Sequence, residues 1–123
     1  MLFRSQSKLG LVLVRIGDTS NGLHYLAAAI LQRPDSAELY DRKMLAYLSM
    51  GNLHEAAQTL EDKLSQIPDP ASSDFLRAAS LWSKANNLPQ ASAVVERGLQ
   101  KFPEDKNLLM AQQELLSPLT AKD

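Results

Sequence analysis

Residues 15–20 read RIGDTS, residues 49–54 read SMGNLH and residues 84–89 read KANNLP. These stretches stand 34 and then 35 residues apart, and each sets Gly-Asp, Gly-Asn or Asn-Asn between apolar segments. The first residue of each pair is Gly17, Gly51 or Asn86, a type that ends helices in the left-handed conformation. The second is Asp18, Asn52 or Asn87, a strong N-cap. Glu55 and Gln90 follow two of these caps by three residues, as the reciprocal half of a capping box. Each stretch therefore closes one helix and opens another, and is the turn of an antiparallel helical hairpin.

The flanks agree. Leu53, Ala56, Ala57, Leu60, Leu64 and Ile67 mark one helical face after the second turn, and Leu88, Ala91, Val94, Val95 and Leu99 mark one after the third. Pro34, Pro68 and Pro103 end the second helix of each hairpin by disfavouring helix at the preceding residue. New caps are expected beyond them: Asp35 with Glu38, Ser72 or Ser73, and Glu104 or Asp105. No alternation of β-branched and polar residues competes, so the expected class is all-α. Successive prolines are 34 and 35 residues apart, the extra residue falling in the linker PDPASS at 68–73. A two-helix unit repeated at that period predicts an α-solenoid, because one hairpin cannot bury its apolar face alone.

The pattern resembles the tetratricopeptide repeat family. The third unit matches closely through Phe75, Ala78, Ala79, Trp82, Ala91, Val95, Gly98 and Pro103. The second matches through Tyr40, Tyr47, Ala56, Leu60 and Pro68, and departs with Lys43, Met44 and Lys63. The first matches through Leu9, Gly10, Leu13, Gly22, Leu26, Ala29 and Pro34, and departs with Gln6. The resemblance implies one domain over 1–123, with repeat hairpins at about 3–36, 37–71 and 72–104. A capping helix at about 105–117 follows, carrying Leu108, Ala111 and Leu115. The aromatics Phe75, Trp82, Tyr40 and Tyr47 are expected to pack within the hairpins.

Composition narrows the chemistry. The chain has 123 residues, 45% hydrophobic and 22% charged, enough for a domain with a core. Its 13 basic and 14 acidic residues leave no surplus to neutralise phosphates, so no nucleic-acid partner is expected. There is no cysteine for a disulfide or a thiolate metal site. His24 and His54 fall at different places in the repeat, and Glu55 is followed by Ala-Ala-Gln rather than completing a zinc-protease motif. Neighbouring carboxylates such as Glu61-Asp62 and Glu104-Asp105 diverge on a helix, and the second pair suits a helix N-terminus. No phosphate-binding glycine loop occurs. The expectation is therefore no enzyme, no cofactor and no metal. The apolar run Leu9 to Val14 is shorter than a signal-peptide core of roughly 7–15 residues or a membrane span of about 20. A cytoplasmic setting is favoured unless the chain is a piece of a larger exported protein.

The resemblance also implies a groove lined by the first helix of each unit. It assigns Leu11, Val14 and Arg15 to that groove from the first unit, Asp41, Arg42, Leu45 and Leu48 from the second, and Leu76, Arg77 and Lys84 from the third. The carboxylate clamp of the family's chaperone-binding members is not reproduced, since only Arg77 matches and Ser7, Leu11, Arg42 and Ser73 depart. The expected function is a non-catalytic protein–protein interaction scaffold that holds an apolar or amphipathic protein segment. The alternative is a structural or oligomerisation module with an idle groove. The first helix bears on that choice: Leu9, Val12, Leu13 and Ile16 leave it apolar in every direction, as an edge for a missing repeat or for a homo-oligomer.

Overall fold

A computed structural model describes residues 2–120, with side chains through Leu116. Among the described residues there are seven helices and no strand: α1 (Leu2–Arg15), α2 (Thr19–Gln32), α3 (Ala37–Ser49), α4 (Leu53–Gln66), α5 (Ser72–Lys84), α6 (Leu88–Lys101) and α7 (Lys106–Thr120). The chain divides into two units, Met1–Asp69 and Pro70–Asp123, parted inside the PDPASS linker. Hairpins α1–α2 and α3–α4 form the first; hairpin α5–α6 and α7 form the second.

All three hairpin turns close alike. Gly17, Gly51 and Asn86 take φ of 103°, 76° and 63°. The residue after each donates its N–H five residues back, Asp18 to Leu13, Asn52 to Tyr47 and Asn87 to Trp82, at 2.8–2.9 Å. This is the Schellman closure, which satisfies carbonyls left open at a helix end. Asn52 and Asn87 then cap the next helix, their side chains accepting the N–H groups of Glu55 and Gln90 at 3.1 and 3.2 Å. Asp18 accepts a bond from the Asn21 side chain instead.

The caps after the prolines differ from expectation at two of three sites. Asp35 is held by Arg33 at 3.4 Å while the chain makes a further turn, Ser36 N–H to Arg33 carbonyl, so Ser36 precedes α3. Ala71 precedes α5, and Ser72 and Ser73 are already helical; the Asp74 carboxylate reaches back to the Ala71 N–H at 2.9 Å. Asp105 does cap α7, accepting from the Leu108 N–H at 3.0 Å. That bond, aided by the Ser72 hydroxyl and the Asn107 N–H, holds the Asp105 carboxyl below its ordinary range.

Within the first unit, α3 packs against both α1 and α2. The α1–α2 crossing is closest at Gly10 and Gly22, where a Cβ on Gly22 would lie 2.6 Å from the Gly10 carbonyl oxygen and 2.5 Å from a Val14 methyl. Leu11, Val14, Leu26 and Ala46 form a buried cluster there, with Leu23 against it. The departures from the repeat pattern have local reasons. Gln6 accepts a hydrogen bond from Gln32 at 2.6 Å, tying the start of α1 to the end of α2. Met44 fills core volume. Tyr40 is buried and donates its hydroxyl to the Pro34 carbonyl at 2.7 Å, whereas Tyr47 is half-buried. In the second unit Phe75, Trp82, Val94, Val95 and Leu108 are buried, and Gly98 lets the Phe75 ring approach the α6 backbone.

Two predictions follow from this backbone. A Cβ on Gly51 meets nothing within 4 Å, so Gly51→Val is expected to cost about 1 kcal/mol or more through left-handed strain alone, while Asn86→Gly is neutral or stabilising. Urea titrations of both variants measure this, and a costless Gly51→Val contradicts it. Gly22→Ala meets packed backbone on the opposite helix and is expected to destabilise by about 1–3 kcal/mol. A thermal melt at or above the wild-type midpoint would refute that expectation.

Candidate functional site

On the first unit the candidate surface is the outward face of α3. Glu38, Asp41, Arg42, Leu45 and Leu48 recur there at i, i+3, i+4, i+7 and i+10, which puts them on one side of the helix. Its charges are already engaged. Arg42 donates to the Glu38 carboxylate and to the Ser7 hydroxyl, each at 2.6 Å. Ser7, buried on α1, in turn donates a hydrogen bond from its hydroxyl to the Arg4 carbonyl at 2.9 Å. Glu38 also meets Arg4 at 3.5 Å. Arg42 is thus a tie between α3 and α1.

Asp41 has a similar fate. Lys63 stands on α4 where the repeat pattern calls for a small residue, and its side chain is only 4% exposed. Its ammonium lies 2.9 Å from Asp41 Oδ1, so the long side chain fills the small residue's place and delivers its charge to the neighbouring helix. Leu45 remains exposed and Leu48 half-buried, one and two turns beyond these pairs along α3. Leu11 and Val14 point into the buried cluster and offer no surface, and Arg15 is exposed at the end of α1. The aliphatic residues assigned to this unit's surface therefore reduce to Leu45 and Leu48.

On the second unit the surface is a depression of about 440 Å³ between α5 and α7, closed at one end by Leu88. Leu76, Ala79, Met110, Ala111 and Leu115 supply its apolar lining, while Ser80, Ser83 and Asn107 supply hydrogen-bonding groups. Lys84 and Glu114 stand at its margins, and no ion pair engages either among the described residues. Leu76 and Lys84 are sequence-assigned residues brought together here; Arg77 is exposed on α5 but is not part of the lining. Asn107, Met110 and Glu114 were not assigned from sequence. The signal for them was present, because α7 repeats the pattern of a first helix through Leu108, Ala111 and Leu115, so its outward positions line a surface as those of α5 do.

The N-terminal edge is apolar and open: Leu9, Val12 and Ile16 are exposed on α1, and Leu13 is half-buried. Among the described residues no group of three His, Asp or Glu side chains could hold a metal ion, and no helix is long and apolar enough to cross a membrane. His24 stands edge-on to Tyr25, and His54 lies 3.9 Å from Glu55.

No family model matches the chain. A TPR repeat-containing protein of Pseudomonas aeruginosa is 37% identical to it over 62 residues, half of this chain and a tenth of that protein.

The two ends of the Asp41–Lys63 pair are expected to respond unequally to substitution. Asp41→Ala removes the carboxylate 2.9 Å from a nearly buried ammonium and is expected to cost about 3 kcal/mol. Lys63→Met keeps the packing and leaves a carboxylate that water can reach, at a cost below about 1 kcal/mol. Chemical denaturation of the two variants side by side checks the asymmetry; equal losses contradict it.

Proposed function

We propose that this chain, an all-α series of tetratricopeptide-type hairpins, is a non-catalytic protein-interaction scaffold that binds an apolar or amphipathic protein segment. The observation carrying the reading is the α5–α7 depression, which couples an apolar lining to one cation and one anion at its margins. Such a surface suits a helical segment: side chains at i, i+3 and i+4 reach the lining, and charges on its flanks meet Lys84 and Glu114. Burial of the ligand's apolar side chains supplies affinity at roughly 25 cal/mol per Å² before association costs. Leu45 and Leu48 give the first unit an apolar surface of its own.

The resemblance to repeat scaffolds supports this reading over catalysis, and so does the setting of the two histidines, which share no site. The matched protein is about ten times as long as the matched segment, so whatever that whole protein binds extends beyond the part compared.

The test uses partners captured from native lysate on the immobilised chain, followed by calorimetric titration of the recovered protein. Leu76→Glu with Met110→Glu is expected to weaken binding at least tenfold while circular dichroism stays helical. Adding Leu45→Glu is expected to weaken it further. Unchanged affinity in the triple variant would overturn the reading and leave the surfaces idle.

A further inference from the structure

The stripe on α1 has an internal precedent for being covered. Leu2, Ser5, Leu9, Val12 and Ile16 follow one another at alternating spacings of three and four, so they form a single line along the helix, and all are exposed. Thirty-four residues on, one repeat later, Ser5 corresponds to Leu39 and Val12 to Ala46. Both Leu39 and Ala46 are fully buried, in a unit where α3 packs against α1 and α2. Val12 is 51% exposed and Ile16 73%. The middle of this face is thus closed by helices on α3 and open on α1, while Met50, the counterpart of Ile16, is exposed like it.

Charge limits what can close it. Helix α1 carries Arg4, Lys8 and Arg15 and no carboxylate. These three lie on one line beside the apolar stripe, at i, i+4 and i+11. Arg4 meets Glu38 of α3, but Lys8 and Arg15 are in no ion pair among the described residues, and two α1 helices packed antiparallel about a two-fold axis would bring these cations of both copies to the same side. A face bearing a carboxylate is the better fit.

The second unit has such a face. Leu109, Gln112 and Leu116 share a side of α7 at i, i+3 and i+7, and both leucines are exposed. Gln112 and Leu116 border a slot of about 240 Å³ against α6 that reaches buried Val95. Glu96 stands on the rim of that slot, in no ion pair among the described residues.

We propose that the chain associates head to tail, the α1 stripe of one copy seating on the α6–α7 slot and the neighbouring exposed Leu109 of the next, with Lys8 meeting Glu96. The contact is heterologous, so every added copy leaves one stripe and one slot open, and mass grows with concentration. It stands apart from ligand binding at the α5–α7 depression, whose lining it does not use except Leu115.

Size exclusion with light scattering, from low to high micromolar, tests the proposal. The wild type is expected to rise in weight-average mass with concentration, and less so in high salt. Val12→Lys and Leu109→Lys are each expected to remain monomeric with wild-type helicity. Their equimolar mixture is expected to form a dimer and nothing larger, since one intact stripe meets one intact slot. If Leu109→Lys loses helicity, Glu96→Lys takes its place, and Lys8→Glu added to Glu96→Lys is expected to recover association. A wild type that stays monomeric overturns the proposal. So does association that Val12→Lys abolishes and the slot variants leave untouched, which marks a two-fold α1 contact, and so does a mixture that stays monomeric.

Discussion

The close crossing of the two helices in each hairpin is the constraint from which the rest of this structure follows. At Gly10 and Gly22 the backbones of α1 and α2 approach until neither position has room for a Cβ. In the other hairpins Ala56 and Ala91 take the place of Gly22, and both are fully buried. A small residue at that point lets the antiparallel helices meet along their length, and the larger apolar residues on either side close over the contact. The left-handed turn residue fixes where the chain reverses, and so which small residues face each other. With the crossing set, the outward positions of each first helix are set too, because side-chain direction follows from helical register. That link runs from glycines at a helix crossing to the side chains presented to a ligand.

The charges near the candidate surfaces divide into two kinds. In the first unit Arg42, Glu38, Asp41 and Lys63 are engaged across helices, and Lys63 is nearly without solvent. A buried ammonium is tolerable only with a close counter-charge, and Asp41 supplies one to Lys63 at 2.9 Å. A ligand approaching Leu45 and Leu48 meets paired charges that need little further compensation. In the second unit Lys84 and Glu114 are exposed and in no ion pair among the described residues, and covering either would cost it hydration. If the proposed binding holds, the first surface would discriminate chiefly by shape and apolarity, the second also by charge.

Sequence revealed the architecture because its signals are local. A left-handed turn residue, an N-cap beside it and a proline some 15 residues on are each readable within one helix, and together they located all three hairpin turns. The caps after Pro34 and Pro68 differ from expectation in opposite ways: an extra turn at Arg33–Ser36 delays α3, while α5 starts early because the Asp74 carboxylate, not a serine hydroxyl, closes its first turn. The surface was harder to read. Whether Leu11 and Val14 face outward depends on how α3 seats against α1, a contact between residues more than thirty apart. Asp41 and Arg42 look like ligand-binding charges in isolation, and only the positions of Lys63 and Ser7 show them occupied. The Asn107, Met110 and Glu114 side of the α5–α7 depression lies outside the groove read from sequence, because the pattern of α7 marks the repeat positions Leu108, Ala111 and Leu115 and says nothing of which helix its outward side faces.

The size of these surfaces sets what a single ligand can gain. Burying side chains such as Leu76 and Met110 contributes about 1.5–3 kcal/mol each, while association in water costs about 4–15 kcal/mol in lost freedom. A segment lying on one unit alone covers few large apolar residues, so much of its gain is cancelled and its complex is weak. Tight binding requires contacts of this kind to be added without a second loss of freedom, as happens when one ligand continues onto further surfaces of the same array. A repeat fold allows that addition because every hairpin presents its first helix by the same register. Under the proposed function, affinity grows with each first helix a ligand reaches, and residues such as Lys84 and Glu114 make one surface differ from another.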